Sequence, residues 1–308
     1  MKTALITHAD CLGHVTPDGH PERVARLQHI LHALDPLDLN RVTAPMAAED
    51  DILRIHPADY LHDIRAARPS DGFRQIDGDT YMSPGSVDAA FRAAGAVVRA
   101  VDMVLGGEAP NAFCAIRPPG HHAETSTAMG FCLFGNAALA AKHALDHHGL
   151  SRVAVVDFDV HHGNGTQDLL WDEPRALVIT SQQMPLWPGS GRPDEDGAHG
   201  QILNMPLAPG SGSAEMRAAY EGQAFPRLRA FKPELIIISA GFDAHQDDPL
   251  ANLNWSTGDF AWVTEQLCSL AGELCEGRIV STLEGGYDLN ALSAATKAHV
   301  EELMKAAT

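Results

Sequence analysis

Apolar runs without alternation recur along this chain and are separated by stretches of helical periodicity. Residues 153–156 (Val-Ala-Val-Val) and 235–238 (Leu-Ile-Ile-Ile) read as strands buried on both faces. Similar runs stand at 3–7, 112–116, 176–180 and 278–283, with shorter ones near 41–44 and 202–203. Between them, apolar residues fall at helical spacing. Pro21 opens one helix, with Val24, Leu27, Ile30, Leu31 and Leu34 on its apolar face. Ser83-Pro84 starts a longer one that carries Val87, Phe91, Ala94, Val98, Val101 and Leu105 and ends at Gly106-Gly107. An Ala-rich helix is expected near 136–145, and one from Ser213 that Pro226 interrupts. Ser256 and Asp259 form a capping-box start for a helix to Cys275, and a last helix closes the chain. Short helical pieces fill 50–67, and a Pro- and Gly-rich loop fills most of 184–212.

About eight strands alternating with helices predict an α/β fold, a mainly parallel sheet with helices on both faces. With no linker, low-complexity break or repeat, residues 1–308 are expected to form a single three-layer domain. Sheets of this kind place their sites at the carboxyl ends of the strands.

Composition narrows the class further. The 308 residues are 45% hydrophobic and 20% charged, ordinary for a globular protein. A net charge of −18 disfavours nucleic acid and anionic membrane as partners, and favours cationic ones. Five cysteines, with no Cys-x-x-Cys, suit a reducing cytosol better than a disulfide framework. The first residues have too short an apolar run for a signal peptide, and no stretch reaches membrane-span length. A cytoplasmic protein is expected; nothing in the sequence fixes its oligomeric state.

Chemistry gathers where strands end. After the 153–156 run, Asp157, Asp159 and His161 occupy alternate positions, so an extended chain sends all three side chains the same way. Gly163 and Gly165 then let the backbone turn away. Two carboxylates and an imidazole at a strand tip suit a divalent metal, or equally a solvated turn. Three more strand ends carry matching groups: Arg117-Pro118-Pro119-Gly120-His121-His122, Gly241-Phe242-Asp243-Ala244-His245, and Glu284-Gly285-Gly286-Tyr287.

These motifs resemble those of zinc-dependent histone deacetylases of the class II type, bacterial histone deacetylase-like amidohydrolases included, within the arginase–deacetylase superfamily. The likeness also takes in Gly19-His20-Pro21-Glu22-Arg23, Gly130-Phe131-Cys132, Asn164-Gly165-Thr166-Gln167 and Pro188-Gly189-Ser190-Gly191, in family order over nearly the whole chain. The resemblance implies Asp159, His161 and Asp243 as metal ligands, an open set suited to catalytic zinc. Its oxygen-rich donors would also accept iron(II) or cobalt(II). His121, oriented by Asp157, and His122, oriented by Asn164, would be the acid–base pair. A neutral amide beside His122 makes it the better base. Tyr287 would donate a hydrogen bond to the oxyanion.

The same resemblance assigns Phe131, after Gly130, and Trp187 as aromatic walls of an acyl tunnel, Trp187 replacing the family's usual Phe. Gly285 and Gly286, which permit the tight turn that aims the Tyr287 phenol inward, count among the substrate-binding residues. Leu250 stands where polyamine-selective relatives carry a Glu gate, and Asp79 lies near a rim position that can hold the substrate backbone. Asp79 reads equally as a solvated acid. Arg23 matches an arginine lining an acetate exit pocket, or a salt-bridge partner. Potassium would be held through Asp157, Asp159, His161 and Thr180, although Thr180-Ser181-Gln182 departs from the usual Ser-Leu-His. The implied activity is hydrolysis of N-acetyl-lysine, or another short N-acyl-lysine, by metal-activated water. Acetylated polyamines or small amides are the alternative substrates. A non-catalytic acyl-lysine binding module and a dinuclear ureohydrolase are the remaining readings; the latter would need further Asp and His ligands where Asn164 and Tyr287 stand.

Overall fold

The computed structural model describes residues 1–307. Ten strands form: β1 (Ala4–Thr7), β2 (Asn40–Thr43), β3 (Arg74–Gln75), β4 (Tyr81–Met82), β5 (Asn111–Cys114), β6 (Val153–Asp157), β7 (Ala176–Gln183), β8 (Ile202–Leu207), β9 (Leu235–Ala240) and β10 (Ile279–Leu283). The helices are α1 (Val24–Leu34), α2 (Glu49–Ile52), α3 (Ala58–Ala66), α4 (Ser86–Leu105), α5 (Asn136–Asp146), α6 (Asn164–Leu169), α7 (Ser213–Ala219), α8 (Phe225–Phe231), α9 (Thr257–Leu274) and α10 (Leu289–Ala306). Eight strands make one sheet in the order β2-β1-β5-β10-β9-β6-β7-β8; every pairing in it is parallel. β3 and β4 form a separate antiparallel pair.

Helices cover both faces of the sheet, which is why its central strands are buried on both sides and begin as apolar runs rather than alternating. Every residue of β5, β6, β7, β9 and β10 is buried. On one side α4 and α5 pack together and against β1, β5 and β6; elsewhere α10 packs between α1 and α9.

Three expectations shift. Pro21 does not open a helix: α1 begins at Val24 with Arg23 as its extended N-cap. The Glu22 carbonyl is already taken by the Thr16 hydroxyl at 2.6 Å and faces His20 Nδ1 at 3.0 Å, which holds the preceding loop out of helical form. The Ser83-Pro84 helix begins only at Ser86, whose hydroxyl takes the Ser83 backbone N–H. The helix from Ser213 is interrupted just before Pro226 rather than at it: a π-type turn at Tyr220–Ala224 joins α7 to α8, whose second residue is Pro226, and the backbone stays helical throughout.

The sheet order gives the strand-end loops their meaning. β5, β10, β9 and β6 are consecutive neighbours running the same way, so the four motif-bearing loops emerge side by side at one edge.

Candidate active site

Alternation past the end of β6 works in both directions. Asp157, Asp159 and His161 turn to one side, while Phe158 and Val160 are fully buried on the other. Phe158 meets Phe242 of the β9 loop at 5.9 Å and Phe260 at 5.9 Å, and Phe242 packs on Phe260 at 5.4 Å. The loops bearing Asp159 and Asp243 are thereby fixed to the same aromatic core. The outcome is a cage: His161 Nδ1 lies 3.2 Å from Asp159 Oδ1 and 3.1 Å from Asp243 Oδ2. Ligand atoms around a tetrahedral ion of zinc size stand roughly 3.3 Å apart, so the spacing fits such an ion.

Electrostatics point the same way. Burial, with Asp159 alongside, pushes the Asp243 carboxyl up to about 7. Burial also works against a charged His161, but its hydrogen bonds to Asp159 and Asp243 more than offset this and raise it to about 10. Two buried carboxylates this close repel unless a positive charge lies between them. Glycines make room for the cage: a side chain at Gly285 would overlap both the Asp159 and Asp243 carboxylates. Instead, the Gly285 N–H donates to Asp159 Oδ2 at 2.8 Å.

The tandem histidines stand beside this cage with different partners. His121 Nδ1 lies 2.9 Å from Asp157 Oδ2, and His122 Nδ1 lies 2.8 Å from Asn164 Oδ1. Burial disfavours charge on both rings. At His121 the carboxylates of Asp159 and Asp157 overcome it and hold the pKa well above the usual imidazole value. At His122 burial is reinforced by His121 and His161, so the pKa falls well below that value and the ring is neutral. Its tautomer follows from one residue the sequence reading passed over. Glu124 Oε1 accepts from Asn164 Nδ2 at 2.8 Å, and an ionised carboxylate can only accept. The amide oxygen therefore faces His122, whose Nδ1 carries the proton and whose Nε2 keeps a lone pair.

A cavity of about 190 Å³ reaches His122 but not His121, lined by Asp79, His122, Gly130, Phe131, His161, Leu186, Trp187, Leu250 and Tyr287. Gly130, Phe131, Trp187, Leu250 and Asp79 are all among these, with Trp187 exposed and Asp79 and Leu250 partly buried; Gly285 and Gly286 are not in the lining. Gly130, at φ +56°, touches the cavity because a Cβ there would run into His122 and the Trp187 ring. Phe131 follows at φ +69°, a backbone state rare for an aromatic residue. Its N–H is held by the Thr80 hydroxyl at 3.0 Å, and its ring packs edge-on to Tyr287 at 5.9 Å. Burial, together with the acids nearby, keeps the Tyr287 phenol protonated, far above its ordinary pKa. Asp248, another residue missed, accepts the Tyr287 N–H at 2.7 Å and the Leu250 N–H at 3.0 Å, fixing the tyrosine and the rim together.

Arg23 requires correction. It is exposed at the helix N-cap and lines a surface groove, so it cannot face an internal pocket. The buried arginine is Arg26, one turn further on. It donates to the carbonyls of Glu284 and Gly286, both at 2.6 Å, and lies 4.9 Å from the Tyr287 ring centre. Glu22 holds Arg26 and Arg117 together, all three fully buried. Thr180 lies directly across from Asp157 in the β6–β7 register, but its hydroxyl is 2.8 Å from both Gln182 Oε1 and Asn204 Oδ1. Among the described residues, no helix is long and apolar enough to cross a membrane.

Comparison with known proteins places this geometry. Residues 20–303 match the family model described as histone deacetylase domain. The chain is 40% identical over 305 residues to the rice "Histone deacetylase 10, chloroplastic", covering 92% of this chain and 69% of that one. It is 39% identical over 293 residues to the "Histone deacetylase-like amidohydrolase" of Pseudomonas aeruginosa, covering 92% and 77%. Against the "Probable deacetylase" of Archaeoglobus fulgidus it is 37% identical over 298 residues, covering 94% and 82%. Among solved structures, the crystal structure of the HDA15 HD domain superposes with a TM-score of 0.93 at 32% identity, over 99% of this chain and 88% of that one.

Proposed function

This chain belongs to the histone deacetylase family, whose arginase–deacetylase fold and deacetylase class of hydrolase it shares, and from that we propose that it removes acetyl or another short acyl group from the side-chain amine of lysine. One observation carries the reading: a single narrow cavity is lined at once by His122, His161 of the cage and Tyr287.

Asp159, His161 and Asp243 would hold the metal, with zinc the first choice and iron(II) or cobalt(II) compatible with the donors. When bound there, such an ion supplies Lewis-acid polarisation of the acyl carbonyl and eases deprotonation of water. Phe131, Gly130 and Trp187 orient an extended acyl-lysine chain and exclude solvent from it. Neutral His122 offers Nε2 to the proton of the attacking water, because Nδ1 is committed to Asn164. His121, paired with Asp157, adds positive charge beside the base and keeps His122 from charging before substrate arrives. As the carbonyl carbon becomes tetrahedral, the protonated Tyr287 donates to the developing oxyanion. His122 then returns its proton to the departing amine. A potassium ion held through Asp157, Thr180 and the backbone carbonyls of Asp159 and His161 belongs to the same proposal, supported by the Asp157–Thr180 register.

The test is direct. Tyr287→Phe and His122→Ala should each lower kcat by roughly 10²-fold or more, with metal content unchanged. Near-normal turnover in either variant removes that residue from the mechanism. Asp79, the one carboxylate lining the cavity, favours a second reading in which the far end of the substrate is another ammonium. Faster turnover of acetylspermidine than of an acetyl-lysine peptide would select that reading; Leu250 at the rim favours the peptide.

A further inference from the structure

A second group of metal-binding side chains lies outside the acyl cavity. Asp102 projects from the last turn of α4. His143 sits in the last turn of α5, His147 caps that helix, and His148 follows it. His143 and His147 are four residues apart and share one side of the helix. One ligand atom from each of the four residues lies within 4.8 Å of all the others. Nε2 of His143 and Nε2 of His148 approach the same oxygen, Asp102 Oδ1, at 2.7 and 2.8 Å. The His147 ring stacks flat on His143 at 4.7 Å and meets His148 edge-on at 5.0 Å.

A hydrogen-bonded surface cluster would account for the two short contacts, but not for the far side of His143. That ring is buried, with its side chain 4% exposed, and its Nδ1 has no hydrogen-bond partner among the described residues. The group facing Nδ1 is another acceptor, Asp51 Oδ1, at 4.0 Å. If the neutral ring donates from Nε2 to Asp102, Nδ1 is a buried lone pair turned toward a carboxylate, and if both nitrogens carry protons the Nδ1–H still lacks a partner within hydrogen-bond reach. If Nε2 binds a metal instead, the proton moves to Nδ1 and the ring points an N–H toward Asp51. Carboxylate, imidazole and metal in that order is the usual outer support of a histidine ligand.

We propose that Asp102, His143, His147 and His148 form a second metal site, selective for an imidazole-preferring divalent ion such as zinc, nickel or copper. Three nitrogens and one oxygen complete a four-coordinate set with no open position, so the site would clamp α4 to α5 rather than do chemistry. The hydrogen-bond separations of 2.7 and 2.8 Å must widen toward roughly 3.3 Å when an ion enters. His147 and His148 are exposed and can supply that movement.

Chelator-stripped full-length protein, titrated with Zn²⁺ by calorimetry and checked by metal analysis after dialysis, tests this. Wild type should bind one equivalent more than the His147→Ala/His148→Ala double variant, while both, loaded with metal, turn over substrate at the same rate. Asp102→Asn, which keeps the shape and removes the anionic oxygen, should weaken the additional equivalent at least tenfold. With Cu²⁺ as the probe, nitrogen hyperfine structure from the additional equivalent should be present in wild type and absent from the double variant. Equal stoichiometry in wild type and double variant overturns the proposal, as does an Asp102→Asn protein with unchanged affinity. Because only a difference between proteins is read, neither outcome depends on what the Asp159–His161–Asp243 cage binds.

Discussion

His122 is only as good a base as its tautomer permits, and that tautomer is set two bonds away. Glu124 holds the Asn164 amide so that its oxygen, not its nitrogen, faces His122. Glu124→Ala frees the amide to turn over, and a turned amide would favour the proton on Nε2, blocking the base. We expect kcat to fall about tenfold with KM nearly constant, and Glu124→Gln, which can still accept, to restore most of it. Equal loss in both variants would mean that Glu124 supports the loop rather than the amide. Two members of the cage were readable from sequence, because alternation sends Asp159 and His161 one way whatever the tertiary context, whereas Asp243, on another strand end, was pointed to as a ligand only by the family resemblance. Glu124 was not readable, although it follows His122 by two residues. Its meaning lies in a contact with Asn164 across 40 positions, and a lone Glu on a loop has no period to betray it.

At the scale of elements, the uniform apolar runs of β6 and β9 fixed their identity, while the first turn of α1 did not announce which arginine points inward. Motif order favoured Arg23, but helix phase decides. Arg23 is an extended N-cap facing solvent, whereas Arg26 shares the buried side with Leu27, Ile30 and Leu34. Once inside, Arg26 ties α1 to the Tyr287 loop through Glu22, Glu284 and Gly286. The Glu22 carboxyl would be raised by burial, but Arg117 and His14 more than reverse this and hold it well below its ordinary value of 4.5. Its folded pKa is thus lower than its unfolded one. The stabilisation is therefore complete above about 4.5 and disappears as pH falls through the folded value. Glu22→Gln leaves two buried guanidinium groups underpaired and should cost about 3–5 kcal/mol at pH 7. In urea unfolding followed against pH, its deficit relative to wild type should shrink below about pH 4.5. A deficit constant from neutral to acid would show that packing, not charge, is what the substitution removes.

For the molecule as a whole, alternation of strands and helices made a parallel sheet legible, but not the strand order that gives the sheet a site. Chain neighbours β5 and β6 are separated by β10 and β9, which belong to the last third of the sequence. Such distant pairing is specified by packing rather than by any local pattern. Charge is the whole-molecule property that sequence does report. The chain carries a net charge of −18, and its proposed substrate is an acylated lysine side chain that basic residues can flank. Long-range attraction should raise the encounter rate of cationic substrates and fade as salt shortens the screening length from about 10 Å at 0.1 M to about 3 Å at 1 M. For an acetyl-lysine peptide flanked by Arg and Lys, kcat/KM should fall on the order of tenfold across that range. For the same peptide flanked by Ser it should barely change, because the scissile amide itself carries no charge. Parallel salt curves for the two peptides would show that the acidic surface does not steer substrate, leaving selection to the rim formed by Asp79, Trp187 and Leu250.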